Sequence, residues 1–135
     1  MEPAASIGGG TFDYSLARDV LHLSLTDAMG HGVDAALMAS MCLGGLRGGR
    51  RRGMSLLEQA TSTNRALYEH ATDGAGDDFV TGLIGRLELR TGSPEIVNAG
   101  HVSPYLLRNS ELTAPDLRVD LPLGTSATAA TAVLA

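Results

Sequence analysis

A short alternating segment that ends in an acidic, glycine-rich turn constrains this chain most. Residues Val20 to Asp27 read VLHLSLTD, and the three leucines alternate with polar residues. This alternation has the period of a half-buried β-strand. Asp27 has the same parity as the leucines, so we expect its carboxylate to leave the strand on the side that buries them. A carboxylate is costly there unless it binds a cation or accepts hydrogen bonds.

The turn after this strand predicts a site for a hard metal ion. It reads Asp27-Ala28-Met29-Gly30-His31-Gly32. Glycines beside an acid let the backbone approach a ligand, and the carbonyl of Ala28 offers a second oxygen. Oxygen ligands of this kind suit Mg²⁺ or Mn²⁺ and not Zn²⁺. We therefore take Asp27 and the Ala28 carbonyl as candidate metal ligands, with a purely structural turn as the alternative.

Two helices are expected after this turn. The first is predicted to begin near Val33 and to end at a run of glycines, at positions 48, 49 and 53. Its buried face is predicted to contain Val33, Leu37, Met41 and Gly44. The second is predicted to begin at Ser55, with Glu58 three residues later, as in a capping box. Its buried stripe is predicted to contain Leu56, Ala60, Thr63, Leu67 and Tyr68.

The rest of the chain predicts strands in a block. Apolar segments at Phe79–Leu89, Glu95–Ala99 and Tyr105–Arg108 read as strands, separated by turn residues. The glycines at positions 8–10 predict a loose or sharply turning backbone. Helices and strands that run in blocks, rather than in alternation, indicate an α+β layered fold.

Composition excludes several classes of protein. The 135 residues suffice for one domain or part of one. The formal charge is −5, from 15 acids and 10 arginines, so we expect no nucleic-acid partner. The single cysteine, Cys42, excludes an internal disulfide framework. The start at Met1 lacks the pattern of a signal peptide, and the longest weakly polar run is shorter than the ~20 residues that cross a bilayer. We expect a cytoplasmic protein without a membrane partner.

Five segments resemble, in order, the motifs of one family. They are Ile7–Tyr14, Asp27–Gly32 with the Ala35-Ala36-Leu37 run, Phe79–Thr81, Asn98–His101 with Pro104, and Leu121–Gly124. These resemble the motifs GGD-x-[FWY]-D, D-x-x-G-H-G with A-A-L, FVT, NAGH-x-P and PLG of SpoIIE-type protein phosphatases. That group is the bacterial branch of the type 2C metal-dependent Ser/Thr phosphatases. Any one match is weak, but five in order over residues 7–124 are a strong resemblance.

The resemblance implies a fold and a reaction. The family fold is a β-sandwich flanked by helices, in α-β-β-α layers, with two Mg²⁺ or Mn²⁺ ions. A metal-activated water attacks phosphoserine or phosphothreonine directly. By resemblance, Asp27 bridges the two ions and the Ala28 carbonyl binds one of them. The implied partner is a phosphorylated bacterial regulator, such as an anti-sigma factor antagonist.

The chain departs from the family pattern at two places. Gly10 stands where the family has its first metal-binding acid, while Asp13 keeps the second acid of that motif and is a further candidate ligand. The chain also ends before the family's TDG turn, which carries another ligand. Residues 1–135 therefore read as one partial SpoIIE-type phosphatase domain that lacks the C-terminal metal-binding segment. We expect one weakly bound ion, or none.

Two histidines are candidates for contact with phosphate or substrate. His31 and His101 each lie beside a glycine in a turn. A turn histidine with a backbone hydrogen bond is the alternative for each. The leading function is a metal-dependent phosphatase, and the competing one is a catalytically degenerate relative that binds its partner without turning it over. Gly10 favours the second.

Overall fold

Two helices pack on one face of a five-stranded sheet in the computed structural model, which describes residues 8–74 and 78–128. The elements are β1 (Gly8–Ala17), β2 (Val20–His31), α1 (Gly32–Arg51), α2 (Leu56–Gly74), β3 (Val80–Glu88), β4 (Ser93–Ala99), β5 (Leu106–Arg108), β6 (Glu111–Thr113) and β7 (Val119–Asp120). The sheet order is β1-β2-β3-β4-β7, and β5 pairs with β6 separately. The predicted α+β class is confirmed. The described residues form the helical layer and one sheet layer of the predicted fold.

The first strand was not foreseen. The segment predicted to be loose, Gly8–Gly10, begins β1, which pairs antiparallel with β2. Arg18 and Asp19 connect the two strands with positive φ angles of 49° and 63°, as in the tight turns that match the twist of a hairpin. After these glycines, Phe12, Tyr14 and Leu16 alternate with polar residues, which is the pattern of a strand and could have located β1.

The helices cover the opposite face of β2 from the one predicted. Thr26 and Ala28 are buried beneath the helices, whereas Leu23 and Leu25 are 41% and 45% exposed. Asp27 shares the face of the leucines, as its parity predicts, but that face is open among the described residues. Alternation shows that two faces differ, and it does not show which of them meets the helices. The small buried residues of β2, Thr26 and Ala28, face the helices and let them approach the sheet closely.

The predicted buried face of α1 is wrong, whereas its predicted end is confirmed at Gly53 and wrong at Gly48 and Gly49. Gly53 follows the C-cap residue Arg52 with a φ of +74°. The helix runs through Gly48 and Gly49 to Arg51. Its buried residues are Ala35, Met38, Ala39, Cys42, Leu46 and Gly49. A Cβ added to Gly49 would lie 2.9 Å from Gln59 Cγ, and one added to Gly45 would lie 2.8 Å from Thr63 Oγ1. These glycines therefore serve the close approach of the two helices rather than the end of one.

The predictions for α2 are confirmed. Ser55 N–H donates to Glu58 Oε2 at 2.7 Å, and Glu58 N–H donates to Ser55 Oγ at 3.2 Å, which is the expected capping box. The predicted stripe is buried at Leu56, Ala60, Thr63 and Leu67, while Tyr68 is half-buried. The stripe packs against α1 and the sheet.

Candidate metal centre on the open face of the sheet

Asp27 lies near the end of β2, on the face that the helices leave open. Its direct cross-strand neighbours are Gly10 on β1 and Thr81 on β3. Residues directly opposite each other in antiparallel strands share one face of the sheet. The carboxylate is exposed and forms no ion pair with a described residue. It is therefore accessible to a hydrated cation.

A bulge in β2, opposite Gly9 of β1, brings the Ala28 carbonyl against the β1 backbone. The pairing register shifts between Gly8 and Gly10. Gly9 alone separates them on β1, whereas residues 28–30 separate their partners Asp27 and His31 on β2, so the extra residues lie on β2. A Cβ on Gly9 would collide with the carbonyl oxygen of Ala28 and lie 2.9 Å from the Ala28 Cβ. Only glycine fits at position 9, whereas a Cβ on Gly8 would meet no atom within 4 Å. The bulge begins directly after Asp27 in β2.

Gly10 lies where a second carboxylate would complete the centre. A Cβ built on Gly10 would be 3.8 Å from Asp27 Oδ1, with no other atom within 4 Å. An acidic side chain at this position would therefore have room and would share the Asp27 site. As the sequence predicts, glycine supplies no side-chain oxygen.

The donors present fit one ion and not two. Within residues 8–74 and 78–128, no three His, Cys, Asp or Glu side chains form a group that could hold a metal. Asp27 and the Ala28 carbonyl are hard oxygen donors, and Mg²⁺ commonly binds through one or two carboxylates while keeping several waters. Two divalent ions would bring four positive charges to one carboxylate, which leaves them poorly neutralised. A binuclear centre does not fit these residues.

Asp13 does not join this centre. It pairs with Ser24, on the helix-facing side of the hairpin. Arg47 on α1 donates to it twice, from Nε at 3.0 Å and from Nη2 at 2.7 Å, and Arg50 Nη1 lies 3.7 Å away. The hydrogen bonds from Arg47 hold the pKa of the Asp13 carboxyl below its ordinary value. The expectation that Asp13 is a further metal ligand is therefore wrong on geometry, because it lies across the sheet from Asp27 and is already neutralised.

His31 lies at the start of α1, beyond the centre. It is the N-cap residue, exposed, and makes no side-chain capping hydrogen bond. It follows Asp27 by four residues, across the point where the register of β1 and β2 shifts. Gly30 and Gly32 on either side both have φ of +84° and turn the chain from strand into helix. The structure does not bring the His31 side chain into contact with Asp27 in the described residues.

His101 is brought to the centre through Thr81. Its Nδ1 lies 2.9 Å from Thr81 Oγ1, and Thr81 is the cross-strand neighbour of Asp27. Its backbone N–H donates to Asn98 Oδ1 at 2.8 Å. The sequence suggested His101 as a candidate but gave no role to Thr81. The contact joins residues 20 apart in sequence, so local patterns do not reveal it.

A comparison with models of protein families shows which family this chain belongs to. Residues 17–134 match the model named Stage II sporulation protein E, SpoIIE, and this range covers most of the chain. The chain belongs to the SpoIIE family. None of the curated protein sequences matches it. In the described part of this SpoIIE-family chain, no helix is both long and apolar enough to cross a membrane.

Solved structures share the fold. The RsbU and RsbW domains of Rv1364c from Mycobacterium tuberculosis are 24% identical, with a TM-score of 0.80 over 98% of this chain and 37% of that one. The PP2C phosphatase domain and regulatory fragment of SpoIIE from Bacillus subtilis are 17% identical, with a TM-score of 0.77 over 96% and 38%. The catalytic domain of the serine/threonine phosphatase PstP, in complex with 2 manganese ions, is 21% identical, with a TM-score of 0.61 over 83% and 50%. The fold is that of PP2C-type phosphatases, and the chain spans under two fifths of the first two structures.

Proposed function

We propose that this chain acts, in the cytoplasm, as a phosphatase domain that removes phosphate from phosphoserine or phosphothreonine on a bacterial regulatory protein. Membership of the SpoIIE family and the PP2C-type fold support the reaction class. The observation that carries the proposal is the exposed Asp27 carboxylate on the open sheet face, without an ion-pair partner among the described residues. A carboxylate in that state is the natural first ligand of a hydrated Mg²⁺ or Mn²⁺.

One bound ion is the expected cofactor. A divalent ion would activate a water molecule and neutralise negative charge on the phosphate oxygens. The chain's part is to hold that ion with Asp27 and the Ala28 carbonyl, while Gly9 keeps the backbone close to that carbonyl. His101, half-buried and fixed by Asn98 and Thr81, supplies a ring nitrogen on the same side of the sheet.

The proposed substrate is a phosphorylated partner protein, such as an anti-sigma factor antagonist. One similar structure contains an RsbU domain together with an RsbW domain, which supports a partner of the regulatory kind. The formal charge of −5 opposes electrostatic binding to nucleic acid. The partner is therefore expected to be a protein that presents a phosphorylated side chain.

A second function is favoured by Gly10. Glycine at this position removes a carboxylate from a place where one would fit, next to Asp27. In this alternative the chain is a degenerate relative that binds the phosphorylated protein without hydrolysing it. The first function requires that Asp27 supports turnover without a second carboxylate at position 10. The second function predicts no turnover in the original chain.

Hydrolysis of p-nitrophenyl phosphate with Mn²⁺ separates the two. For the enzyme we expect measurable turnover that falls roughly 100-fold in Asp27→Asn, while the exposed Asp116→Asn serves as a control and leaves it unchanged. Turnover that appears only in Gly10→Asp supports the binding module. Turnover in the original chain that is insensitive to Asp27→Asn contradicts the proposed site.

A further inference from the structure

Two glycines bring Thr81 and His101 together. Gly82 and Gly100 form a bridge between β3 and the end of β4. A Cβ on Gly82 would lie 3.0 Å from Thr26 Cγ2, and one on Gly100 would lie 2.7 Å from Pro122 Cγ. Gly100 also has a φ of +67°, which side chains other than glycine rarely adopt. The glycines keep the two backbones close at this parallel bridge, and His101 Nδ1 lies 2.9 Å from Thr81 Oγ1.

The backbone of His101 is fixed as well. Asn98 is fully buried, and its Oδ1 accepts the N–H of His101 at 2.8 Å. An asparagine side chain that accepts an N–H a few residues later replaces a backbone hydrogen bond and stabilises a tight turn. The position of the imidazole is thus set from both ends, by the turn and by Thr81.

Thr81 makes two contacts that bear on which ring nitrogen of His101 carries the proton. Its Oγ1 lies 2.9 Å from His101 Nδ1 and 3.5 Å from the backbone oxygen of Asp27. A hydroxyl has one hydrogen to donate, and the carbonyl oxygen can only accept. If Thr81 donates to Asp27, its oxygen is left to accept from Nδ1–H. Both contacts are satisfied together only with a proton on Nδ1.

We propose that Thr81 is a positioning residue that holds neutral His101 with its proton on Nδ1, which leaves Nε2 as a hydrogen-bond acceptor on the Asp27 side of the sheet. This inference deepens the proposed function and rests on it for its catalytic meaning. Nε2 in this form accepts a hydrogen from a water molecule, whereas it cannot donate to a phosphate oxygen. His101 thereby orients a water molecule through Nε2.

Nitrogen-15 NMR of the histidine rings tests the assignment directly. We expect the original chain, at a pH where His101 is neutral, to show the proton of His101 mainly on Nδ1. Thr81→Val keeps the shape of the side chain and removes the hydroxyl, so the proton should move mainly to Nε2. Thr81→Ser restores the hydroxyl and should restore the original form.

A matched control removes a different hydroxyl. Thr11 bonds Thr26 on the helix-facing side of the sheet, so Thr11→Val should leave the His101 signals unchanged. The ring signals of His22 report whether each variant keeps its fold. A proton mainly on Nε2 in the original chain, or a ratio unaffected by Thr81→Val, would overturn the proposal.

The NMR result is independent of turnover, because it needs neither metal nor substrate. If the chain is active, Thr81→Val should also lower kcat more than it changes KM, with recovery in Thr81→Ser. If the chain is inactive with Mn²⁺, the proposed phosphatase function fails, while the ring signals still decide the role of Thr81.

Discussion

Asp13 and Asp27 belong to one β-hairpin but lie on opposite faces of the sheet. Asp13 faces α1 and accepts two hydrogen bonds from Arg47. Asp27 faces away from the helices and has no ion-pair partner among the residues described. The hairpin pairs Asp27 with Gly10, which is three residues from Asp13 on β1, so the two acids lie on opposite faces of the sheet. One acid therefore ties β1 to α1, and the other remains available for a cation.

The Asp13 ion pair predicts a stability that depends on pH. Hydrogen bonds from Arg47 lower the pKa of Asp13 from its ordinary 3.8. A carboxyl with a lowered folded pKa contributes stability that is complete above the unfolded pKa and is lost as pH falls through the folded one. We expect Asp13→Asn to be less stable than the original chain at pH 7, with the difference shrinking below about pH 3.8.

Urea unfolding over a range of pH measures this difference. Asp116→Asn, at an exposed position, is the control and should match the original chain throughout. A deficit of Asp13→Asn that stays constant down to the lowest pH would show that the ion pair is not its cause.

At the level of elements, local signals were predicted well and interhelical packing was not. The capping box of Ser55 and Glu58 involves residues three apart, and the sequence alone located it. Gly48 and Gly49 predict a helix end because that is a common local role of glycine. The roles of Gly45 and Gly49 depend on Thr63 and Gln59 of another helix, which no pattern within α1 contains.

Adjacent glycines of α1 allow a matched test of this packing. A Cβ on Gly45 would meet Thr63, while one on Gly44 would meet nothing within 4 Å. Both alanine variants gain helix propensity equally. We therefore expect Gly45→Ala to be less stable than Gly44→Ala by about 1–3 kcal/mol, which is the usual cost of overpacking. Equal stabilities in chemical denaturation would mean that the helices do not approach as closely as described.

The strand faces show a similar limit of prediction. The leucine alternation correctly placed Asp27 with Leu23 and Leu25. It assigned that side to the core, since apolar residues are usually buried. Along β1 and β2 the helix-covered face is the more polar one, with Asp13, Ser24 and Thr26, so polarity points to the wrong side of this hairpin. In the candidate site, Asp27, Gly10 and His101 were predictable from motifs, whereas Thr81 emerges only from a contact between distant strands.

At the scale of the whole molecule, the open sheet face is strongly apolar. Phe12, Tyr14 and Leu16 are 65%, 65% and 62% exposed. Across the hairpin, Phe12 lies opposite Leu25 and Tyr14 opposite Leu23, which makes the apolar surface continuous. Large exposed apolar patches mark surfaces that other protein elements cover. The predicted β-sandwich requires such a face.

This surface predicts dye binding by the folded chain. We expect a hydrophobic fluorescent dye to bind the native protein, and binding to fall by roughly half when Phe12 and Tyr14 are both changed to threonine, since these rings are among the largest exposed groups. Leu107→Thr removes an equally exposed apolar side chain from β5, outside this face, and should have little effect. Equal losses from both variants would contradict a single continuous patch.

Calorimetric titration with Mn²⁺ most directly tests the central claim, that Asp27 holds a divalent ion on the open face. We predict one weak site in the original chain and no binding by Asp27→Asn. Gly10→Asp should bind more tightly, because its Cβ would lie 3.8 Å from Asp27 Oδ1. Two tight sites in the original chain, or binding unchanged in Asp27→Asn, would contradict the account.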